Sequence, residues 1–106
     1  MVYFKLADRL PRTRTRFIDY CRKYLSRYPG QIHFSVGPRD VELQREVNAR
    51  DFDVAMNMIF ADKAAYEAYA NADRHKEFIF QTAGMSTARK VYDSFIDKPA
   101  AKTKAK

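Results

Sequence analysis

An α+β fold of the ferredoxin-like type, β-α-β-β-α-β with an antiparallel sheet, is what this sequence predicts. Three observations lead there. Four stretches alternate apolar and polar residues as half-buried strands do. Two regions instead repeat apolar residues every three or four positions, as amphipathic helices do. These come in the order strand, helix, strand, strand, helix pair, strand, which is the split βαβ arrangement.

The first strand is "VYFKL", where Val2, Phe4 and Leu6 alternate with Tyr3 and Lys5. A helix follows Pro11, a residue tolerated in a first helical turn. Its apolar positions Phe17, Ile18, Cys21, Tyr24, Leu25 and Tyr28 form one stripe until Pro29-Gly30 stops it. The second strand is "QIHFSVG", with Ile32, Phe34 and Val36 on one face and His33 and Ser35 on the other. The third is "FDVAMNMIF", with Phe52, Val54, Met56, Met58 and Phe60 facing one way and Asp53, Ala55, Asn57 and Ile59 the other. Between them the charged stretch "PRDVELQREVNARD" reads as a long hairpin connection of open register. Alanine-rich "ADKAAYEAY" starts the second helix. Asn71 ends it, and Asp73 is placed to cap a short further helix through "HKEFIF". A last strand is expected over about residues 89–96, "RKVYDSFI".

Composition fits this picture. At 106 residues with 46% hydrophobic, 14% aromatic and 31% charged residues, the chain suits one globular domain, expected over 1–97. The basic stretch 98–106, "KPAAKTKAK", has no large apolar residue to bury, so a disordered tail is expected there. That tail carries four lysines, so of the formal +7 only +3 (7 minus 4) belongs to residues 1–97. Lone Cys21 excludes an internal disulfide and points to a reducing, cytoplasmic setting. Neither a signal peptide nor a membrane span is predicted, because Lys5, Asp8 and Arg9 interrupt the only apolar start.

If helices cover the face carrying Val2, Phe4, Leu6, Val54, Met56 and Met58, the opposite face presents Tyr3, His33, Ser35, Ala55, Asn57 and Ile59. Such a face is too apolar in places for free exposure, so a partner is expected, most economically a second copy related by a two-fold axis. Tyr3, His33, Ser35 and Asn57 are its predicted dimer contacts.

The combination of "VYFKL", a helix ending in "YPG", "FDVAMNMIF" followed by "ADKAAYEAY", and "RHKEF" resembles the stress-responsive A/B barrel (Dabb) family over nearly the whole chain to about residue 96. Its most specific piece here is Asp62, Tyr69, His75 and Phe78. The resemblance implies a dimeric α+β barrel of ferredoxin-like protomers, each with a pocket between sheet and helices. That pocket would be lined by Phe4, Phe34, Val54, Met56, Met58, Tyr66 and Phe78. Many members have no assigned activity. In the plant polyketide cyclases of the family, the tyrosine and histidine matching Tyr69 and His75 act on a bound polyketide chain, which makes this pair the implied catalytic candidates. This chain departs from that pattern. Ala72-Asp73 replaces the usual His-Pro before His75, Val54 stands at a polar pocket position, and the histidine that opens strand one has no counterpart.

On chemistry alone, a histidine in a first helical turn stays neutral and can accept a proton, while a tyrosine can hydrogen-bond a developing enolate. The plainer alternative is a Tyr69 packed on the sheet and a His75 that is solvated or caps a loop. His33 and His75 fall on opposite sheet faces and no paired-Cys or paired-His motif is present, so neither metal nor cofactor is expected. A small apolar or aromatic ligand is the expected partner besides a second copy. Within the same barrel architecture, the absence of tryptophan argues against a haem-degrading or cofactor-free monooxygenase. Nucleic acid is the rival ligand, given the basic first helix with Arg12, Arg14, Arg16, Arg22, Lys23 and Arg27. Strand three, however, offers no aromatic on the face that would stack bases. A salt titration with a single-stranded oligonucleotide checks this: no saturable complex is expected at low ionic strength, and one that weakens steeply with salt would restore the nucleic-acid reading.

Overall fold

The structure, a computed structural model, describes residues 1–96. The expectation of a disordered 98–106 tail lies outside the described residues. The elements are β1 (Val2–Leu6), α1 (Pro11–Leu25), β2 (Gln31–Pro38), β3 (Val54–Phe60), α2 (Lys63–Ala70), α3 (Asp73–Gln81) and β4 (Ser86–Val91). The strands form one antiparallel sheet in the order β2-β3-β1-β4, the ferredoxin-like topology that the element order predicts. All three helices lie on one face.

The covered face is built as the alternation requires. Val2 sits opposite Met56 and Met56 opposite Val36, while Phe4 sits opposite Val54. Onto them α1 lays Phe17, Ile18, Cys21 and Leu25, and α3 adds Phe78. Phe17 is 1% exposed, Val54 and Cys21 not at all. Burial pushes the Cys21 thiol up to about 12, so it is a packed apolar group and not a nucleophile.

Four expectations are corrected. Ile32 is not in the core but 67% exposed, because the register shifts between Gln31 and His33 and the bulge turns its side chain outward. Phe52 and Asp53 precede β3, so strand alternation does not govern them. Phe52 packs edge-on against Tyr3 across the uncovered face, with ring centroids 4.9 Å apart. The Asp53 carboxylate accepts the Leu6 N–H at 2.8 Å and pairs with Arg9 at 3.2 Å. Pairing of β1 with β3 ends at Phe4 and Val54, which leaves that N–H without a ladder partner on this side. The last strand runs over Ser86–Val91, not to 96. Val91 pairs with Val2, and Tyr92 exchanges bonds with Met1, where its partner strand runs out. Beyond it Phe95 is 90% exposed. Finally, Asp73 is the first residue of α3, and Ala72 holds the cap position without a side-chain bond. Asp73 still complements the positive end of the helix dipole.

One tight approach sets the angle between the β2 turn and α2. Gly30 adopts φ +78°, and a Cβ there would meet the Ala65 Cβ at 2.5 Å. Its carbonyl accepts the Ala61 N–H at 2.7 Å, tying the turn to the loop that leads into α2. Gly84 also has a positive φ, +81°, but open space around it. Gly30→Ala is therefore expected to cost about 2–3 kcal/mol, strain and clash together, against about 1 kcal/mol for Gly84→Ala, whose only penalty is the left-handed backbone. Urea denaturation of the two variants measures the difference.

Candidate functional site

Asp62 caps α2 through its carboxylate, which accepts the Ala65 N–H at 2.8 Å. Tyr69 occupies the last turn of that helix. The chain then bends at Asn71 and Ala72 and starts α3, which puts His75 in its first turn. Arg74 fastens this turn to the end of α1. Its guanidinium donates to the Lys23 and Ser26 carbonyls at 2.8 and 2.9 Å and lies over the Tyr28 ring. These are carbonyls at the C-terminal end of α1, where a cation is favoured.

The result is that Tyr69 and His75 meet, with ring centroids 4.9 Å apart and planes at 49°. Tyr69 is only 7% exposed, wedged also against Tyr28 at 4.9 Å and Phe60 at 5.1 Å. Burial first, then the neighbouring phenols of Tyr28 and Tyr66, push its ionisation well above the ordinary tyrosine value. It is therefore a neutral O–H donor at any physiological pH. His75 is half-buried, and its Nδ1 lies 3.2 Å from the Ala70 carbonyl. A carbonyl only accepts, so Nδ1 carries the hydrogen and Nε2 keeps a free lone pair. Burial lowers the His75 pKa, the Ala70 carbonyl opposes this in part, and the positive charge of Arg89 lowers it further. The pair is thus a neutral base beside a neutral acid.

Arg89 is a further residue near this region that the sequence reading did not select. It stands opposite Phe4 in the β1–β4 ladder, so its side chain rises on the helix-covered face. There it borders a cavity of about 150 Å³ beneath α3, walled by Phe4, Phe17 and Phe78 and completed by Thr82 and Ser86. Of the pocket residues expected from the sequence, Phe4 and Phe78 line this cavity. Val54 and Met56 are buried in the core nearby, Phe34 and Met58 pack at its margin, and Tyr66 is exposed against Phe60. Tyr69 and His75 do not line it; His75 and Phe78, three residues apart on α3, share one helix face beside it.

The expected dimer residues do share a surface. Tyr3 aligns with Ala55 and Gly37, Ser35 with Asn57, and His33 with Ile59, all on the helix-free face. His33 Nε2 lies 3.1 Å from the Ser35 hydroxyl. The β1–β4 half of this face is roofed by the loop before β3. Phe52 rests on Tyr3, and Asp51 pairs with Lys90 at 2.8 Å, enclosing a cleft of about 710 Å³. Tyr3 meets Phe52 and Tyr92 edge to face rather than offering an open ring to a nucleobase. Among the described residues no group of three or more His, Cys, Asp or Glu side chains is placed to hold a metal, and no helix is long and apolar enough to cross a membrane.

The stress responsive A/B barrel domain family matches the chain over residues 1–96. No curated protein matches it in sequence. Among solved structures it is similar to a Dabb family protein with a ferredoxin-like fold from Mesorhizobium loti MAFF303099, at 25% identity and TM-score 0.66 over 84% of this chain and 85% of that one. A dimeric ferredoxin-like protein of unknown function from Thermobifida fusca YX aligns at 19% identity and TM-score 0.66, over 84% and 80%. A dimeric protein of unknown function and ferredoxin-like fold from Bacteroides fragilis NCTC 9343 aligns at 16% and 0.60, over 84% and 85%.

The His75 geometry has a pH signature. Its folded-state pKa lies below the ordinary 6.5, so the stabilisation tied to the neutral ring is whole above the unfolded value and is lost as pH falls through the folded one. The urea midpoint of the native chain should fall on acidification below about pH 6.5 by more than that of His75→Asn, which keeps an N–H for the Ala70 carbonyl without a titrating ring. Equal slopes for the two proteins would show that His75 is not held neutral.

Proposed function

Because this chain belongs to the stress responsive A/B barrel domain family, we propose that it works as a homodimer whose protomers each bind a small apolar or aromatic molecule between sheet and helices, with Tyr69 and His75 as the polar, proton-handling end of that site. The contact between the Tyr69 and His75 rings carries this reading. It sets the ring of a half-buried imidazole against the ring of a buried tyrosine, and the Ala70 carbonyl fixes the tautomer that leaves Nε2 unprotonated.

The chemistry open to such a pair is proton transfer next to a carbonyl. Nε2 of His75 takes a proton from an acidic C–H. The electron pair of that bond moves toward the carbonyl oxygen, and the Tyr69 hydroxyl donates a hydrogen bond to the developing oxyanion. Both groups enter in the protonation state the step needs. A buried phenol also makes a stronger hydrogen bond than one in water. In the plant polyketide cyclases that the chain resembles, the matching pair acts on a bound polyketide chain, but two of their four polar pocket groups are missing here, so the cyclase reaction is not part of this proposal.

Dimerisation follows from the helix-free face. Its β2–β3 half is shallow, with Gly37, Ala55, Ser35 and Asn57 exposing little bulk, so a second sheet can approach closely. Two structures of the same fold are described as dimers. Sedimentation equilibrium should give twice the chain mass for the native protein and one chain mass for Ala55→Arg, with an unchanged far-UV spectrum. A native monomer overturns the dimer. For the site, a fragment screen followed by the His75 ring resonances should find ligands that shift them, with binding weakened ~10-fold or more in Tyr69→Phe or His75→Asn, the loss expected for one hydrogen bond in a buried site. Ligands that bind both variants as well as the native chain would remove the pair from the site.

A further inference from the structure

We propose that Arg74 is the positioning residue of the Tyr69 and His75 pair. Its guanidinium clamps the turn between α2 and α3 to the end of α1, and this holds His75 against Tyr69 in the tautomer that leaves Nε2 unprotonated. The role rests on the reading of the pair given above and names the side chain that keeps it assembled.

The contacts of Arg74 are all of a positioning kind. It is exposed, yet among the described residues its side chain pairs with no carboxylate. One nitrogen, Nη2, donates to both the Lys23 and the Ser26 carbonyl, at 2.8 and 2.9 Å, and the guanidinium carbon lies 4.7 Å from the centre of the Tyr28 ring. Tyr28 in turn is fixed from two other sides. Its hydroxyl donates to the Tyr24 carbonyl at 2.6 Å, and its ring meets Tyr69 edge to face at 4.9 Å. Tyr69 meets His75 at the same separation. Because Arg74 and His75 are neighbours in the chain, the four side chains close a ring of contacts, Arg74 to Tyr28 to Tyr69 to His75 and back along the backbone.

The turn's own backbone does not supply this anchorage. Ala72 holds the cap position of α3 without a side-chain bond, so the first turn lacks the acceptor that fixes many helix starts. The Ala72 N–H bonds the Tyr69 carbonyl at 3.2 Å, and the Ala72 carbonyl takes the His75 and Lys76 N–H groups at 3.1 and 3.2 Å. These bonds span three or four residues and none reaches α1. The end of α1 is itself constrained. Arg27 has φ +66°, a left-handed conformation that a residue other than glycine keeps only where its surroundings over-determine it. Arg74 brackets that residue, bonding the Ser26 carbonyl before it and lying over the Tyr28 ring after it. Without the clamp the turn is free to swing and Nδ1 of His75 leaves the Ala70 carbonyl. The ring then takes the Nε2–H form that an imidazole in water prefers, and the lone pair a base needs at Nε2 is lost.

Nitrogen NMR of the neutral His75 ring, with ring-to-ring nuclear Overhauser effects to Tyr69, reads the tautomer and the contact on the full chain with no ligand added. The native protein should show the Nδ1–H form and a Tyr69–His75 cross-peak. Arg74→Gln should move the ring toward the Nε2–H form and lose the cross-peak, while native amide shifts in β1 and β3 show that the variant is folded. Adding Asp73→Pro should restore both signals. Asp73 is the first helical residue, where a proline costs no hydrogen bond, and Ala72 at φ −72° and ψ 149° already has the backbone that a following proline requires. A native tautomer and cross-peak in Arg74→Gln, loss of the whole fold in that variant, or no rescue by Asp73→Pro each overturns the positioning role. An Nε2–H ring in the native chain overturns the proton-handling pair itself, a failure told apart because it appears before any substitution is made.

Discussion

Three phenylalanine rings, Phe4 from β1, Phe17 from α1 and Phe78 from α3, meet edge to face, and the placement of the candidate site depends on that contact. It is where the sheet and the two longer helices touch at once. Phe4 and Phe17 are 3% and 1% exposed, so the contact is desolvated and its aromatic burial is among the largest single contributions to the core. Fixing Phe78 on this pair fixes the axis of α3. With that axis set, Arg74 reaches the end of α1 and His75 has one place to go, against the last turn of α2.

The site is electrically simple. Burial acts in opposite directions on an acid and a base, raising the Tyr69 phenol and lowering the His75 imidazole, and both effects favour the uncharged form. A neutral pair needs no counter-ion, so it survives in an apolar setting where a charged pair would cost several kcal/mol to desolvate. Arg89 is the one cation bordering the cavity, and it sits on an edge strand where its outer end meets water.

Much of this was legible in the residues. Alternation in "VYFKL" and "VAMNMIF" assigned the covered faces of β1 and β3 correctly because both strands are central, with a partner on either side that pins the register. The edge strands gave the errors. Ile32 sits at the bulged end of β2, and "RKVYDSFI" is apolar at both parities, so neither the end of β4 nor the face of Arg89 could be read from it. Arg89 shares a parity with Val91, which lies on the covered face opposite Val2. That signal was present, but it becomes usable only when the pairing with β1 is known. Phe52 and Asp53 were misassigned for a related reason, since strand logic was carried two residues past the point where the ladder stops.

The sequence by itself determined the element order, the covered face of the central strands and the family, because each is written in local periodicity or in a motif spacing that a single chain carries. It also placed Tyr69 and His75 six residues apart, spanning a helix break. Only the tertiary structure decided that their rings touch, that Nδ1 of His75 is committed to the Ala70 carbonyl, and that Arg89, far along the chain, lies opposite Phe4 on the helix-covered face. The reason is physical: contact across a break depends on the angle between two helices, and that angle is set by the packing of Phe78 and Arg74 on α1 and β1, side chains distant in sequence whose relative positions no local pattern encodes.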